Sequence, residues 1–183
     1  MQGASGQSVT TRYAYDSESH LRFVVSPEGR VTEYVYSASG LQTQAIEHAT
    51  LYNVSGLTGT DTIVESAMTS WANVPTDKSA STRTETAYDY RGNVSSITNF
   101  GKVLSTGAGD TTTRTDYTKT FYWYDQFGNL LEKYTQDYSA ETQKEKFAYD
   151  GLGRMVSTSF DSKTTTIQYN DTSTQTVVTL ANG

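Results

Sequence analysis

The chain contains the sequence YDYRGNV at residues 88–94 and repeats it as YDQFGNL at 124–130 and YDGLGRM at 149–155. All three copies fit the pattern Tyr-Asp-x-x-Gly-(Asn/Arg)-(Leu/Met/Val). Ordinary residue frequencies give such a match on the order of once per million windows. Three matches within 183 residues therefore indicate an internal repeat, and this repeat decides the architecture.

Each position of the motif has a predicted role in a β-hairpin. The tyrosine ends a strand, where aromatic residues are favoured. The aspartate starts a type I turn, and its carboxylate accepts a hydrogen bond from the backbone two residues on. The glycine takes the left-handed conformation that closes a three-residue loop with a bulge. These residues are Tyr88, Asp89, Gly92, Tyr124, Asp125, Gly128, Tyr149, Asp150 and Gly153.

This hairpin geometry also predicts the strand register. The tyrosine should lie opposite the last residue of the motif, which places an aromatic ring beside an aliphatic side chain. Such cross-strand pairs contribute roughly 0.2–1 kcal/mol each. The predicted pairs are Tyr88 with Val94, Tyr124 with Leu130, and Tyr149 with Met155.

Weaker copies of the motif lie towards both ends of the chain. Ser19 replaces the glycine in one copy, and another keeps Gly40 but has no aspartate. The spacing predicts a unit of about twenty residues, one hairpin, with insertions at 47–86 and 102–120. The whole chain, 1–183, is then one array segment, and we expect both ends to be cuts through a longer array. The units end near Tyr15, Tyr36, Tyr88, Tyr124, Tyr149 and Tyr169.

The motif copies resemble the repeats of the RHS or YD-repeat family, and the resemblance covers nearly the whole chain. It implies an all-β fold of antiparallel hairpins joined edge to edge in a twisted, strip-like sheet, an arc of a spiral or shell. In bacterial members the shell holds a C-terminal toxic polypeptide, and animal relatives form a barrel in cell-surface adhesion proteins. The resemblance implies a secreted or bacterial cell-surface protein. Its expected partners are flanking YD repeats of the same parent chain, an enclosed toxin polypeptide, or surface glycans.

Composition and charge narrow the classes of partner. The net charge is −6 and the isoelectric point is near 4.8, which argues against a nucleic acid or an anionic membrane surface as partner. No apolar stretch approaches the roughly 20 residues of a membrane span, so we expect no membrane insertion. Cysteine is absent and no disulfide framework exists.

The two insertions have different predicted structures. Thr62 and Glu65 form a capping-box pattern, which predicts a short helix over about 62–72. Its predicted face against the sheet consists of Ile63, Val64, Ala67, Met68 and Trp71. The second insertion predicts an additional hairpin, with its turn at 107–110 flanked by Val103-Leu104 and a Thr-rich strand.

The sequence contains no recognisable set of catalytic residues. His20 and His48 are the only histidines, and neither has the spacing of a metal site. We therefore expect no catalytic residue, no metal and no cofactor. We interpret His20, which occupies the Asn/Arg position of a hairpin turn, as a solvated turn flank. The tryptophans leave an alternative open. Trp71 and Trp123 are either structural side chains, Trp71 as the anchor of the helix, or platforms on which a ligand such as a sugar stacks.

Size limits what the segment does alone. Each hairpin adds about 9.5 Å of sheet, so six or seven hairpins give roughly 60–65 Å. One circuit around a cargo domain of ~150 residues is roughly 180 Å. The sequence therefore predicts a non-catalytic wall segment that needs flanking repeats. The alternative is a cell-surface adhesion or carbohydrate-binding module, and a hydrolase is disfavoured.

Overall fold

The computed structural model describes residues 9–136, 143–172 and 175–181. It confirms the predicted all-β class, with twelve antiparallel strands and one short α-helix, α1. The strands are β1 Arg12–Tyr15, β2 Leu21–Val25, β3 Val31–Tyr36, β4 Gln42–His48, β5 Thr82–Tyr88, β6 Val94–Phe100, β7 Tyr117–Tyr124, β8 Leu130–Gln136, β9 Gln143–Tyr149, β10 Met155–Phe160, β11 Lys163–Asn170 and β12 Gln175–Thr179; α1 is Glu65–Ala72.

The strands form one open sheet in which each strand pairs with its neighbours in the chain. Short turns join most neighbouring strands, as antiparallel pairing allows, whereas residues 49–81 and 101–116 form longer connections from β4 to β5 and from β6 to β7. The predicted register is observed where Tyr124 lies opposite Leu130 and Tyr149 opposite Met155. A bulge interrupts the ladder beside each of these pairs, as expected of a three-residue loop closed by glycine.

The chain divides into two compact units. The first unit consists of Met1–Glu85 and Asn99–Tyr117, and the second of Thr86–Thr98 and Thr118–Gly183. The first unit has a hydrophobic core where α1 covers one face of β1–β3. Phe23, Val25 and Met68 are fully enclosed there, and Tyr52 and Trp71 pack against them.

The second unit is organised differently. Among its described residues, only Ser96 and Thr98 are buried, and no hydrophobic side chain is. Its strands are therefore held mainly by backbone ladders and by contacts between side chains on the same sheet face.

The helix begins at Glu65, later than predicted, and ends at Ala72. Val64 precedes it in extended conformation, without a side-chain cap. The predicted capping box does not form, because the Glu65 carboxylate lies 3.3 Å from the Arg22 guanidinium instead. The predicted helical face is also wrong at two positions, since Val64 is 57 % exposed and Ala67 is exposed.

The second insertion forms the predicted additional hairpin only in minimal form, and its turn lies at 104–108 rather than 107–110. The Leu104 amide donates to the Ala108 carbonyl (2.8 Å), the Gly107 amide donates to the Leu104 carbonyl (2.8 Å), and a single antiparallel bridge joins Val103 to Gly109. Arg114–Asp116 then form a 3₁₀ turn in place of the Thr-rich strand. The reason lies in Asp110, which is buried and bound to the Lys102 ammonium (2.8 Å), so it anchors the loop rather than forming its turn.

Candidate functional site

The three motif turns share one backbone geometry. In the turn at 124–130, the Asp125 amide donates to the Asn129 carbonyl (2.9 Å) and the Gly128 amide donates to the Asp125 carbonyl (3.2 Å). Gly128 has φ +88°, the left-handed conformation predicted from the sequence. The turns at 88–94 and 149–155 repeat both hydrogen bonds, and their glycines have φ +85° and +77°.

The aspartate carboxylate closes each turn with both oxygens. Oδ1 of Asp125 accepts from the Phe127 amide (2.8 Å), the bond predicted from the sequence, and also from the Asn129 amide (2.9 Å). Oδ2 accepts from Nδ2 of the Asn129 side chain (2.9 Å). The side-chain contact explains why the sixth motif position is Asn or Arg, because both side chains carry an N–H donor that reaches the carboxylate.

The other two copies use the same contacts. Asn93 fills the sixth position beside Asp89, and Arg154 fills it beside Asp150 with its Nε 2.8 Å from Oδ2. These hydrogen bonds stabilise the charged form of each carboxylate. The Asn93 and Asn129 side chains lower the pKa of Asp89 and Asp125, and the Arg154 backbone amide together with its guanidinium lowers the pKa of Asp150.

A fourth aspartate turn lies near the start of the chain. The Asp16 carboxylate accepts from the His20 amide (2.9 Å), and its other oxygen lies 3.1 Å from Nδ1 of the imidazole. The His20 ring also stacks on Tyr36, with centroids 4.7 Å apart. His20 therefore fills the predicted turn position, the one that Asn93, Asn129 and Arg154 fill in the other turns, but its ring is only partly solvated because it contacts Asp16 and Tyr36.

Two further turns use serine, and sequence reasoning missed the first of them. In the turn at 25–31, the Ser26 hydroxyl accepts from the Arg30 amide (3.1 Å), and Gly29 has φ +86°. The sequence does contain a signal for this turn, because residues 25–31, VSPEGRV, have the spacing of the motif with serine in place of aspartate. In the second serine turn, at Ser37, Tyr36 lies opposite Gln42 although the leucine of this copy, Leu41, comes one residue earlier than in the motif.

Trp123 belongs to a stack of three aromatic rings on one face of β7 and β8. The Trp123 and Tyr134 rings are nearly parallel with centroids 5.0 Å apart, and the Phe121 ring lies 4.9 Å from that of Tyr134. The Lys119 ammonium lies over the Phe121 ring at 4.9 Å. Trp123 is 43 % exposed, so the stack offers ring surface to solvent.

Trp71 lies in a different setting. Its ring contacts the edges of His48 (5.2 Å between centroids) and Tyr52 (5.8 Å), and it packs against the core of the first unit. His48 is in turn fixed by the Glu33 carboxylate, 2.9 Å from Nε2. These contacts favour the anchoring role of Trp71; a role in stacking on a ligand stays a prediction.

Across residues 9–136, 143–172 and 175–181, no group of three or more His, Asp or Glu side chains is arranged to hold a metal ion. Within the same ranges, no helix has the length and apolar character that crossing a membrane requires.

No family model and no curated protein matches the chain. Among solved structures it is similar to the crystal structures of TcdB2-TccC3-TEV, TcdB2-TccC3-Cdc42 and TcdB2-TccC3 without hypervariable C-terminal region. Sequence identities are 15 %, 13 % and 14 %, with TM-scores of 0.30, 0.31 and 0.29. The matches cover 87 %, 93 % and 92 % of this chain but 10 % of each solved chain, so the chain spans about a tenth of their length. The class of the fold, an antiparallel β-hairpin array, rests on the chain's own strand order and registers.

Proposed function

We propose that the chain is a non-catalytic structural segment of an RHS or YD-repeat protein, part of a β-sheet shell that encloses a C-terminal toxic polypeptide. The observation that supports this most is the recurrence of one closed turn in strands that follow chain order. An aspartate at each motif turn accepts hydrogen bonds on both oxygens, and its amide donates to the carbonyl of the sixth motif residue in all three turns. Because each turn has the same geometry, hairpins of this kind can follow one another along the sheet.

The mechanism that we propose is containment. A paired β-ladder satisfies the backbone groups of every inner strand, so a wall of this kind has unpaired strand edges only at its two ends. From the strand spacing, the segment provides about a third of a circuit around a cargo domain. Flanking repeats of the same parent chain are therefore the first partners, and the enclosed polypeptide is the second. The protein would act outside the cell or at the bacterial surface.

Mass spectrometry of the longer parent protein tests this proposal. The parent is expressed through its native C-terminus, and its mass is recorded under native and denaturing conditions. We expect a cleaved C-terminal tail that stays with the array until denaturation. A single uncleaved species with nothing enclosed contradicts the shell and leaves the adhesion function as the better account.

The second candidate is a carbohydrate-binding module, favoured by the stack of Phe121, Trp123 and Tyr134, in which the Trp123 ring is exposed. Aromatic faces of this kind suit the apolar C–H faces of sugars. A glycan array with the wild-type chain and a Trp123→Ala variant tests it. Phe127→Ala is the matched control, because Phe127 is 80 % exposed but lies in a turn outside the stack. Glycan signals that disappear only in the Trp123 variant support this function, and their absence from the wild-type chain excludes it.

A further inference from the structure

A cavity of about 360 Å³ lies in the first unit, beside the end of α1. Its floor is the sheet face of β3–β5, where Val35 and Ile46 provide apolar surface. The last turn of α1 borders it on one side and the loop at 106–108 on the other. The volume falls within the range of small-molecule sites in proteins, about 300–1,000 Å³.

Most charged groups around this cavity already have partners. The Glu33 carboxylate contacts both His48 and Arg22. The Arg83 guanidinium is held by Glu85 (2.7 Å) and by the Gly107 carbonyl (2.9 Å), and is 13 % exposed. These fixed contacts give the cavity a preformed wall, since the side chains need no rearrangement to receive a ligand.

Lys78 is the exception. It lines the cavity, and its ammonium forms no ion pair with a carboxylate of the described residues. Its position is nevertheless constrained, because its amide donates to the Ser105 carbonyl (3.0 Å) and its stem packs beside Gly107. A Cβ at Gly107 would lie 3.0 Å from Cδ of Lys78, so the glycine leaves room for the lysine stem.

The neutral groups of the wall indicate what accompanies the charge. The side-chain amides of Gln44 and Asn73 line the cavity and form no hydrogen bond within the described part of the chain. Amides combine a donor and an acceptor, which suits ligand hydroxyl groups. Together with the apolar floor of Val35 and Ile46, they suit a ring with one apolar face and hydroxyls around its edge.

We propose that this cavity binds an acidic monosaccharide, with its carboxylate on Lys78, its hydroxyls on Gln44 and Asn73, and its apolar face on Ile46. This site uses neither the aromatic stack around Trp123 nor the hairpin turns. Failure of this site would therefore leave both the shell function and sugar binding at Trp123 untested.

Titration of the full chain with glucuronate, followed by ¹H–¹⁵N NMR, tests the proposal. Glucose is the matched neutral probe, because it differs by a hydroxymethyl group in place of the carboxylate, and acetate is the matched acid without the ring. We expect glucuronate to shift the side-chain amide signals of Gln44 and Asn73 in a saturable way. Glucose and acetate should each bind at least about tenfold more weakly.

Two variants give the test its specificity. Lys78→Gln should weaken glucuronate binding about tenfold, since one charge-assisted contact is lost. Lys163→Gln is the matched control, because Lys163 is an exposed lysine of the second unit, and it should leave binding unchanged. The spectrum of each variant shows whether it is folded.

The contrary outcomes are distinct. No saturable shift with glucuronate overturns the site. If acetate binds as tightly as glucuronate, the ligand is not a sugar. If Lys78→Gln and Lys163→Gln lose the same affinity for glucuronate, the site is not at Lys78. An excluding variant, Thr106→Trp at the exposed loop, should abolish the shifts; if they persist, the ligand lies elsewhere.

Discussion

Glycine and aspartate have separate tasks in each motif turn. The glycine supplies a backbone conformation that other residues adopt only with strain, and the aspartate satisfies backbone and side-chain donors that the turn leaves free. The turn at 149–155 allows these tasks to be separated, because it contains two glycines. Gly153 has φ +77°, whereas Gly151 has no such conformation, and a Cβ would meet nothing within 4 Å at either position.

Gly153→Ala should therefore lower the free energy of unfolding of the second unit by about 1–2 kcal/mol, the strain of a left-handed alanine. Gly151→Ala is the control in the same turn and should be within about 0.5 kcal/mol of the wild type. Urea denaturation in a Trp71→Phe background, followed by the fluorescence of Trp123, measures both. Equal effects of the two substitutions would show that conformation at the glycine is not what the motif selects.

The motif carboxylates also predict a dependence of stability on pH. The folded-state pKa values of Asp89, Asp125 and Asp150 lie below the value of an unfolded aspartate, about 3.9. Their contribution is therefore fully present above about pH 4 and is lost as the pH falls through the folded-state pKa values. Urea midpoints measured from pH 7 down to pH 2 should fall in this acidic window.

A triple variant with asparagine at these three positions provides the control. It should be less stable at pH 7, because each turn loses contacts made by the charged carboxylate. Its midpoint should decline less on acidification than that of the wild type, although other aspartates with lowered pKa values, such as Asp61, keep titrating. An unchanged acid decline would mean that the turns are not the groups responsible.

At the scale of elements, α1 shows how a local pattern is overridden by a tertiary contact. Thr62 and Glu65 have the spacing of a capping box, but Arg22 on β2 takes the Glu65 carboxylate. The preceding segment is held by Arg12, which donates to the Thr58 carbonyl (2.8 Å), and Ile63 enters the core from that segment. The helix therefore starts late and presents Met68 and Ala72 to the sheet.

Met68 is fully enclosed, and Met68→Ala should lower the stability of the first unit by about 2–5 kcal/mol. Val64→Ala is the control, because the sequence placed Val64 on the same face but the structure leaves it 57 % exposed; its effect should stay within about 0.5 kcal/mol. Denaturant unfolding in a Trp123→Phe background reports on Trp71 alone. Similar losses of unfolding free energy in both variants would contradict this packing and support the helical face predicted from the sequence.

At the scale of the whole chain, the two units differ in what holds them together. The first has an enclosed apolar core, and no hydrophobic side chain is buried among the described residues of the second. Burial stabilises by roughly 25 cal/mol per Å² of apolar surface, so the first unit should be the more stable. Each unit contains one tryptophan, Trp71 in the first and Trp123 in the second, which allows them to be followed separately.

We expect the Trp123 signal to change at a lower urea concentration than the Trp71 signal. Trp71→Phe and Trp123→Phe single-tryptophan variants measure the two transitions. Coincident midpoints would mean that the chain unfolds as one cooperative body, and would contradict the lower stability expected of the second unit.

How much of this was predictable from sequence depends on the range of the interaction. The turns were, because Tyr124 to Leu130 is a local unit whose residues each have one conformational task. The helix side of the core was predicted in part, since Ile63, Met68 and Trp71 pack as expected, but the strands that α1 covers were not, because no local pattern links the helix to β1 and β2. The cavity beside Lys78 was also beyond prediction, because its wall comes from segments far apart in the chain.

The most direct test of the central claim is protease protection of the C-terminal polypeptide of the longer parent protein. The wild-type parent is compared with one carrying Gly92→Ala, Gly128→Ala and Gly153→Ala, which strain three turns of this segment without touching any other part. The account predicts a tail that resists digestion in the wild type and is digested much faster in the variant. A tail digested equally fast in both proteins would contradict an enclosing wall.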